Sequence, residues 1–406
     1  MSYRLCVGFL MLCGQLVVPG ALVGQTDPID VRHADTWRGT GVDDVSYLVG
    51  NVWIVHGETT LKSDYVQYRK KNGQLILDGK VEIERDQTTL FADHVVYYEK
   101  DRHAEASGGV RIIDTEEGIT LTGADGDYYH RTHYAKITGS PRLTRHREDE
   151  EVLITGRRLE YYFADSDTAR RAVVRDSVTV TDLSEQITVT CDRVDYSRVP
   201  EQALITGSPR LVKQETYGEE EIVVTGKRMV YSFAEKHVDV YASVTITRGV
   251  LVGVCDTLAY VREQAHLTGR SVLREGNNDI AGDDILLTLK EDTITQAVVT
   301  GRAKATYAPE DSTEVSQKRP AQQKSTLEGR TLAVSFEGET IKEIIASQNA
   351  RSIYQPSETV SEGPPGHNRI SASEITVTLD RGQLINVSAR GGVIGTYTTP
   401  AERSIP

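Results

Sequence analysis

From residue 45 onward apolar and polar residues alternate with a period of two, and the alternation slips by one residue at regular intervals. In ITVTCDRVDY, Ile187, Val189 and Cys191 share one parity, while Val194 and Tyr196 share the other. The same slip falls between Ser63 and Val66, Ala92 and Val95, Gly156 and Leu159, Gly226 and Met229, Gly282 and Ile285, and Ala372 and Ile375. A period of two built from Val, Ile, Thr and Tyr predicts strands. A one-residue slip turns every later side chain to the other face. A chain that slips in nearly every repeat, yet keeps its apolar side inward, must bend there and pass from one sheet into a second.

The slip marks a repeated unit: small residue, Asp, any, aliphatic, any, Tyr. KSDYVQY, FADHVVY, TCDRVDY and VCDTLAY carry it fully, and six looser copies complete a set of ten. The Asp-type column falls at 64, 93, 125, 157, 192, 227, 256, 283, 330 and 373. Ten such copies predict a repeat array in which each unit packs mainly on its neighbours. Asp64, Asp93, Asp192, Asp256 and Asp283 are the expected structural corners. A cation-binding column is the rival reading, and Arg157, Lys227 and Arg330 at the same place argue against it. After each Tyr comes a polar turn and a second strand that runs through a Gly, as in ILDGKVEI from Ile76. The string ITGSPRL occurs twice, from Ile137 and from Ile205, and belongs to that second strand. It reads as the trace of a duplication. The expected fold is all-β: an elongated roll of about ten bent hairpins in two facing antiparallel sheets, on the order of 100 Å long at ~4.8 Å per strand. Such a roll has an open strand edge at each end, which invites another chain.

The ends and insertions set the domain boundaries. Residues 1–24 combine Arg4, an apolar run and small residues, a secretory signal pattern whose rival is an uncleaved anchor. Residues 25–44 read as a linker, 45–397 as the array and 398–406 as a tail. Two polar, Pro-rich stretches, 308–325 and 355–367, read as flexible loops projecting from the array. The formal net charge of −13 argues against a nucleic-acid partner. Cys6 and Cys13 lie in the signal. Cys191 and Cys255 fill the same corner column two units apart, too far for a disulfide, and are expected to be free and buried.

Catalytic chemistry is not legible. There is no phosphate loop, nucleophile elbow or Cys-x-x-Cys pair. HRTH, from His130 to His133, is a weak metal motif better read as a solvated turn, and REDEE and GEEE read as solvated acidic loops. No enzyme activity, cofactor or metal is expected.

The stretches LFADHVVYYEKDRHAEASGGVRI, TVTCDRVDYSRVPEQALITG and GVCDTLAYVREQAHLTG resemble the OstA-like/LptA family, periplasmic lipopolysaccharide-transport proteins that include the soluble N-terminal domain of LptD. The resemblance covers about Val45 to Tyr397. It implies a β-jellyroll whose apolar groove holds the acyl chains of lipopolysaccharide. It also implies a periplasmic or outer-membrane-associated place, and end-to-end strand addition to other jellyrolls of that system or to a second copy. The chain is much longer than a typical LptA, and its stop at Pro406 leads to the expectation of no transmembrane barrel, unlike LptD. The inward row then expected to line the groove is Val66 and Tyr68, Val95 and Tyr97, Leu159 and Tyr161, Val194 and Tyr196, Met229 and Tyr231, Leu258 and Tyr260, and Ile285 and Leu287. The alternatives are a structural or adhesive array with a closed core that binds partners through its ends, and a carbohydrate-processing parallel solenoid. The polar reversals after nearly every Tyr disfavour the solenoid.

Overall fold

The computed structural model describes residues 27–398 apart from 41–43, 148–149, 164–169, 215–220, 277, 291–292, 308–323, 339, 355–366 and 381–382. The signal segment, most of the two Pro-rich insertions and nearly all of the tail lie outside the described residues. The insertions' described ends, Ser325 and His367, are the first residues of strands. The described residues are nearly all β, with 28 strands in one antiparallel network. Two three-residue 3-10 turns, Lys70–Asn72 and His130–Thr132, interrupt it.

Apart from the two ends, each strand, or pair of half-strands broken at a corner, pairs with the rung before it and the rung after it. Val45–His56 pairs with Thr59–Arg69, which pairs with Gln74–Arg85, and so on to the last strands. Nearly every strand carries a register shift at its centre. Thr88–Tyr98, for example, loses register between Phe91 and His94 against His103–Asp114. Its buried residues are Thr88, Leu90 and Ala92, then Val95 and Tyr97, which is the predicted slip in parity. Six rungs break into two strands at that point, so the 28 strands make 22 rungs. Tyr134–Thr138 and Arg142–Arg147 form one such rung, and the break between them is the Gly-Ser-Pro of the repeated string. Pro141 and Pro209 therefore sit where the ladder has already lost its hydrogen bonds.

The residues read as a linker contain Ile29–His33 and Thr36–Thr40, which together make the first rung against Val45–His56. Their alternation was too short to register as a repeat. They pair on one side only among the described residues, as does the last rung, Gln383–Arg390 with Ile394–Thr398.

Two kinds of corner alternate along the roll. One is the small-Asp corner. The facing rung bends at two successive left-handed residues, usually Gly first: Gly79 and Lys80, Gly108 and Gly109, Gly207 and Ser208, Gly269 and Arg270, Gly301 and Arg302. The Asp packs over that Gly. A Cβ on Gly207 would stand 2.4 Å from Asp192 Cβ, and one on Gly301 would stand 2.5 Å from Asp283 Oδ2. The next side chain then meets the carboxylate, as Arg270 Nη2 does with Asp256 at 3.2 Å. Where the Asp column holds Arg157, Lys227 or Arg330, the facing left-handed residue is Asp176, Ala242 or Gln348 instead of Gly. The crowding then moves to Gly156, Gly226 and Gly329, where an added Cβ would meet Val174, Val240 and the Ser347 carbonyl at 2.5–3.0 Å. In the irregular copy the column position is Ala124 rather than Asp125. Ala124 N–H bonds the Gly139 carbonyl at 3.1 Å, while Asp125 has moved on to pair with Ser107 and Thr138. Cys191 and Cys255 are free and buried at this corner, and burial pushes both thiols up to about 11.

Candidate functional site

The space between the two sheets has a spine of corners on one side and a mouth, where the hairpin turns approach one another, on the other. All fourteen predicted inward residues face this space. Ten are buried: Val66, Val95, Tyr97, Leu159, Tyr161, Val194, Met229, Leu258, Ile285 and Leu287. Tyr68, Tyr196, Tyr231 and Tyr260 are half-buried and pack against the same core. The row is thus a shared interior, and whether it can be reached depends on the mouth.

Through the first half the mouth is shut by side chains that reach across from one sheet end to the other. The Tyr97 hydroxyl and His56 Nδ1 are 2.9 Å apart, and Tyr161 donates to Asp114 at 3.2 Å. His130 packs on Tyr128 with ring centroids 4.3 Å apart, and Phe163 stacks edge-on against Tyr161 at 4.6 Å. Burial pushes Tyr97 and Tyr128 up to about 12 and His130 down to about 3, with Arg85 and Arg102 adding to the His130 shift. Burial also raises Asp114, against the pull of its hydrogen bonds and Arg170. His130 of the HRTH string is therefore a buried packing residue rather than part of a solvated turn.

Beyond these aromatics, an ion-pair chain continues the closure. Arg170 bonds Glu116 at 2.5 Å and Glu117 at 2.7 Å, and Arg198 reaches Glu117 at 3.3 Å and Glu201 at 3.7 Å. Glu201 in turn holds Arg145 at 2.7 Å. The Arg145 guanidinium ends the chain over Phe233, 5.1 Å from the ring centroid. Glu117 and Arg145 are buried, so the centre of this chain is shielded, while Glu116 stays exposed and Arg198 partly so at its edge.

The second half is different. Ile187, Leu211, Ile222, Val238, Ile246, Leu289, Ile294, Phe336, Ile341, Val377, Leu379 and Val387 point inward yet stay only partly buried. An apolar cavity of about 810 Å³, counting its mouth, lies between the sheets at Ile280, Leu327, Ile341, Ile344, Leu379 and Val387. A second cavity adjoins it at Glu275 and Thr340 and extends the space to Arg248, Leu251, Ile294 and Phe336. Tyr307, Ser325 and Tyr354 line the first, so both Pro-rich insertions leave the roll at its rim.

At the cavity itself the cause is visible in the Tyr column. Tyr68, Tyr97, Tyr128, Tyr161, Tyr196, Tyr231 and Tyr260 hold the last inward place of successive units. The final three units carry Leu287, Val334 and Val377 there. Their strands then run on past a second register shift to a further apolar residue, Leu289, Phe336 or Leu379. A ring that would fill the mouth is replaced by shorter aliphatic groups on longer strands, and a void follows. Only Ile285 and Leu287 of the predicted row lie in this region. The signal for the rest was the loss of Tyr together with the extra apolar position, as in ILLTL, LAVSF and ITVTL.

Residues 60–167 match the family model described as LptA/(LptD N-terminal domain) LPS transport protein. That segment is similar to this family. No curated protein matches the chain. The family segment covers five successive strands from Thr59–Arg69 to Ile119–Tyr129 and the split rungs after them, all within the closed half. The same corner, Tyr column and pairing scheme carry on through rungs outside the match, so the matched segment is one stretch of a longer roll built on a single plan. No helix among the described residues is long and apolar enough to cross a membrane.

Proposed function

We propose that this protein is a periplasmic lipid carrier of lipopolysaccharide transport that holds acyl chains between its sheets in the last third of the roll. The observation that carries this reading is the apolar cavity beneath Ile341, Ile344 and Leu379, at the point where the Tyr column stops. The cavity wall is mostly hydrocarbon, from Ile280, Leu327, Ile341, Ile344, Leu379 and Val387, with polar residues such as Asn278 and Ser352 among them, which suits an acyl chain better than a polar ligand. The similarity of residues 60–167 to an LPS-transport family supports lipopolysaccharide as the lipid. An acyl chain gripped alone leaves its anionic headgroup in solvent, which reconciles a lipopolysaccharide ligand with the net charge of −13.

The first half takes the part of a closed stalk in this account, and the end rungs, paired on one side only among the described residues, are sites for strand addition to other jellyrolls or to a second copy. A structural array with no cargo is the second reading, favoured by the dry core and sealed mouth of residues 45–163. The test is extraction of copurifying lipid from the wild type and from Ile341→Asp. The carrier reading expects acylated lipid with the wild type and its loss in the variant, because a carboxylate in the cavity makes it hostile to hydrocarbon. Wild-type protein free of lipid and unable to take it up supports the cargo-free array instead.

A further inference from the structure

We infer that His103, Glu105 and Asp127, on the outer face of the roll, form a site for a divalent transition metal, with Zn²⁺ as its probe. The site is independent of the cavity. His103 and Glu105 are two residues apart on His103–Asp114, so both side chains leave the same face of the sheet. Asp127, on Ile119–Tyr129, stands directly opposite Glu105 in the ladder. Like charges placed opposite each other destabilise a strand pair, so the position calls for a cation. Lys136, the next cross-strand neighbour, reaches only Asp127, at 4.0 Å.

One ligand atom from each of the three residues lies within 4.8 Å of the others. His103 Nε2 is 3.4 Å from Asp127 Oδ1 but is buried with no hydrogen-bond partner. Its ring is clamped: the Tyr129 ring stacks on it at 4.0 Å and 6°, and the Tyr98 ring lies at 5.5 Å and 14°. Tyr98 also donates its hydroxyl to Glu105 at 3.0 Å, which orients that carboxylate as outer partners commonly orient metal ligands. One imidazole and two carboxylates, with room for water, match the donors Zn²⁺ uses in open sites, whereas Mg²⁺ and Ca²⁺ prefer oxygen alone. The roll offers its own controls. His94 with Asp78 at 2.6 Å and His266 with Asp284 at 3.5 Å are similar outer-face pairs, but neither has a third ligand within such reach among the described residues.

The experiment titrates purified protein with ZnCl₂ by calorimetry, and reads the zinc X-ray absorption edge. The expected result is a single saturable site with an N/O coordination shell that Mg²⁺ does not displace. His103→Phe, which keeps the ring stack, and Asp127→Asn should each weaken it at least ~10-fold. His266→Phe should leave it unchanged. Zinc binding that survives His103→Phe, or an edge with thiolate character from Cys191 or Cys255, overturns the assignment.

Discussion

Gly108→Ala tests the corner geometry on which the whole roll depends. Gly108 is left-handed, with φ +79°, and a Cβ there would stand 2.7 Å from both Cβ and Oδ2 of Asp93. Gly109, also left-handed at φ +61°, has nothing within 4 Å of such a Cβ. The left-handed backbone alone costs an L-residue roughly 1–2 kcal/mol. Forcing a methyl into a filled contact adds about 1–3 kcal/mol. Gly108→Ala should therefore cost about 2–5 kcal/mol and Gly109→Ala no more than about 1–2 kcal/mol. Lys80 and Arg270 already occupy the second position in other corners, which places Gly109→Ala at the low end. A long array need not unfold in one step, so the assay is amide hydrogen exchange over Thr88–Tyr98 and His103–Asp114 rather than a single midpoint. Asp93→Gly removes the facing Cβ, so a double-mutant cycle with Gly108→Ala should show a favourable coupling of at least ~1 kcal/mol. Equal effects of the two alanines, or simple additivity of the cycle, refute the idea that Asp packing dictates the glycine.

Two further outcomes follow from the sealed mouth. Glu117→Ala leaves Arg170 and Arg198 short of a partner in a buried setting, which should destabilise the surrounding rungs by about 3–5 kcal/mol. Faster exchange confined to Arg171–Asp182 and Ile187–Ser197 is the expected sign, and unchanged exchange there contradicts a structural role for the ion-pair chain. His130 should make the first half acid-sensitive. Its folded pKa, near 3, lies below the unfolded value of 6.5, so the unfolded chain binds the extra proton. The stability it contributes is full above pH 6.5 and is lost as pH falls from there toward 3, at up to 1.36 kcal/mol per unit. His130→Phe should flatten the local pH dependence of exchange over Ile119–Tyr129 in that window, and an unchanged slope contradicts the buried neutral ring.

Most of the fold was legible because each corner writes itself twice: once as a parity slip, and once as a small residue before Asp. Leu90, Ala92, Val95 and Tyr97 were enough to foresee a strand that changes sheets with its apolar side inward. The exceptions also obey one rule, since Arg157, Lys227 and Arg330 face Asp176, Ala242 and Gln348 instead of glycine. That rule relates residues on facing rungs, well separated along the chain, and a pass along a single unit does not see it. Asp125 is the Asp of its copy, yet strand register puts Ala124 in the column. The inward row was legible as a row, but its accessibility was not. Tyr97 and Ile341 have the same inward parity; what separates them is the His56 partner closing over one and the missing Tyr beside the other. The metal-ligand set was hidden because His103 and Asp127 meet only across a strand pair.

The central claim is that cargo occupies the last third of the roll and is excluded from the sealed half. A photo-crosslinking amino acid placed in turn at Tyr97, Leu159, Ile341 and Leu379, in cells that make lipopolysaccharide, tests this most directly. The account predicts lipid adducts at Ile341 and Leu379 and none at Tyr97 and Leu159. Adducts at Tyr97 equal to those at Ile341, or none at any of the four, contradict it.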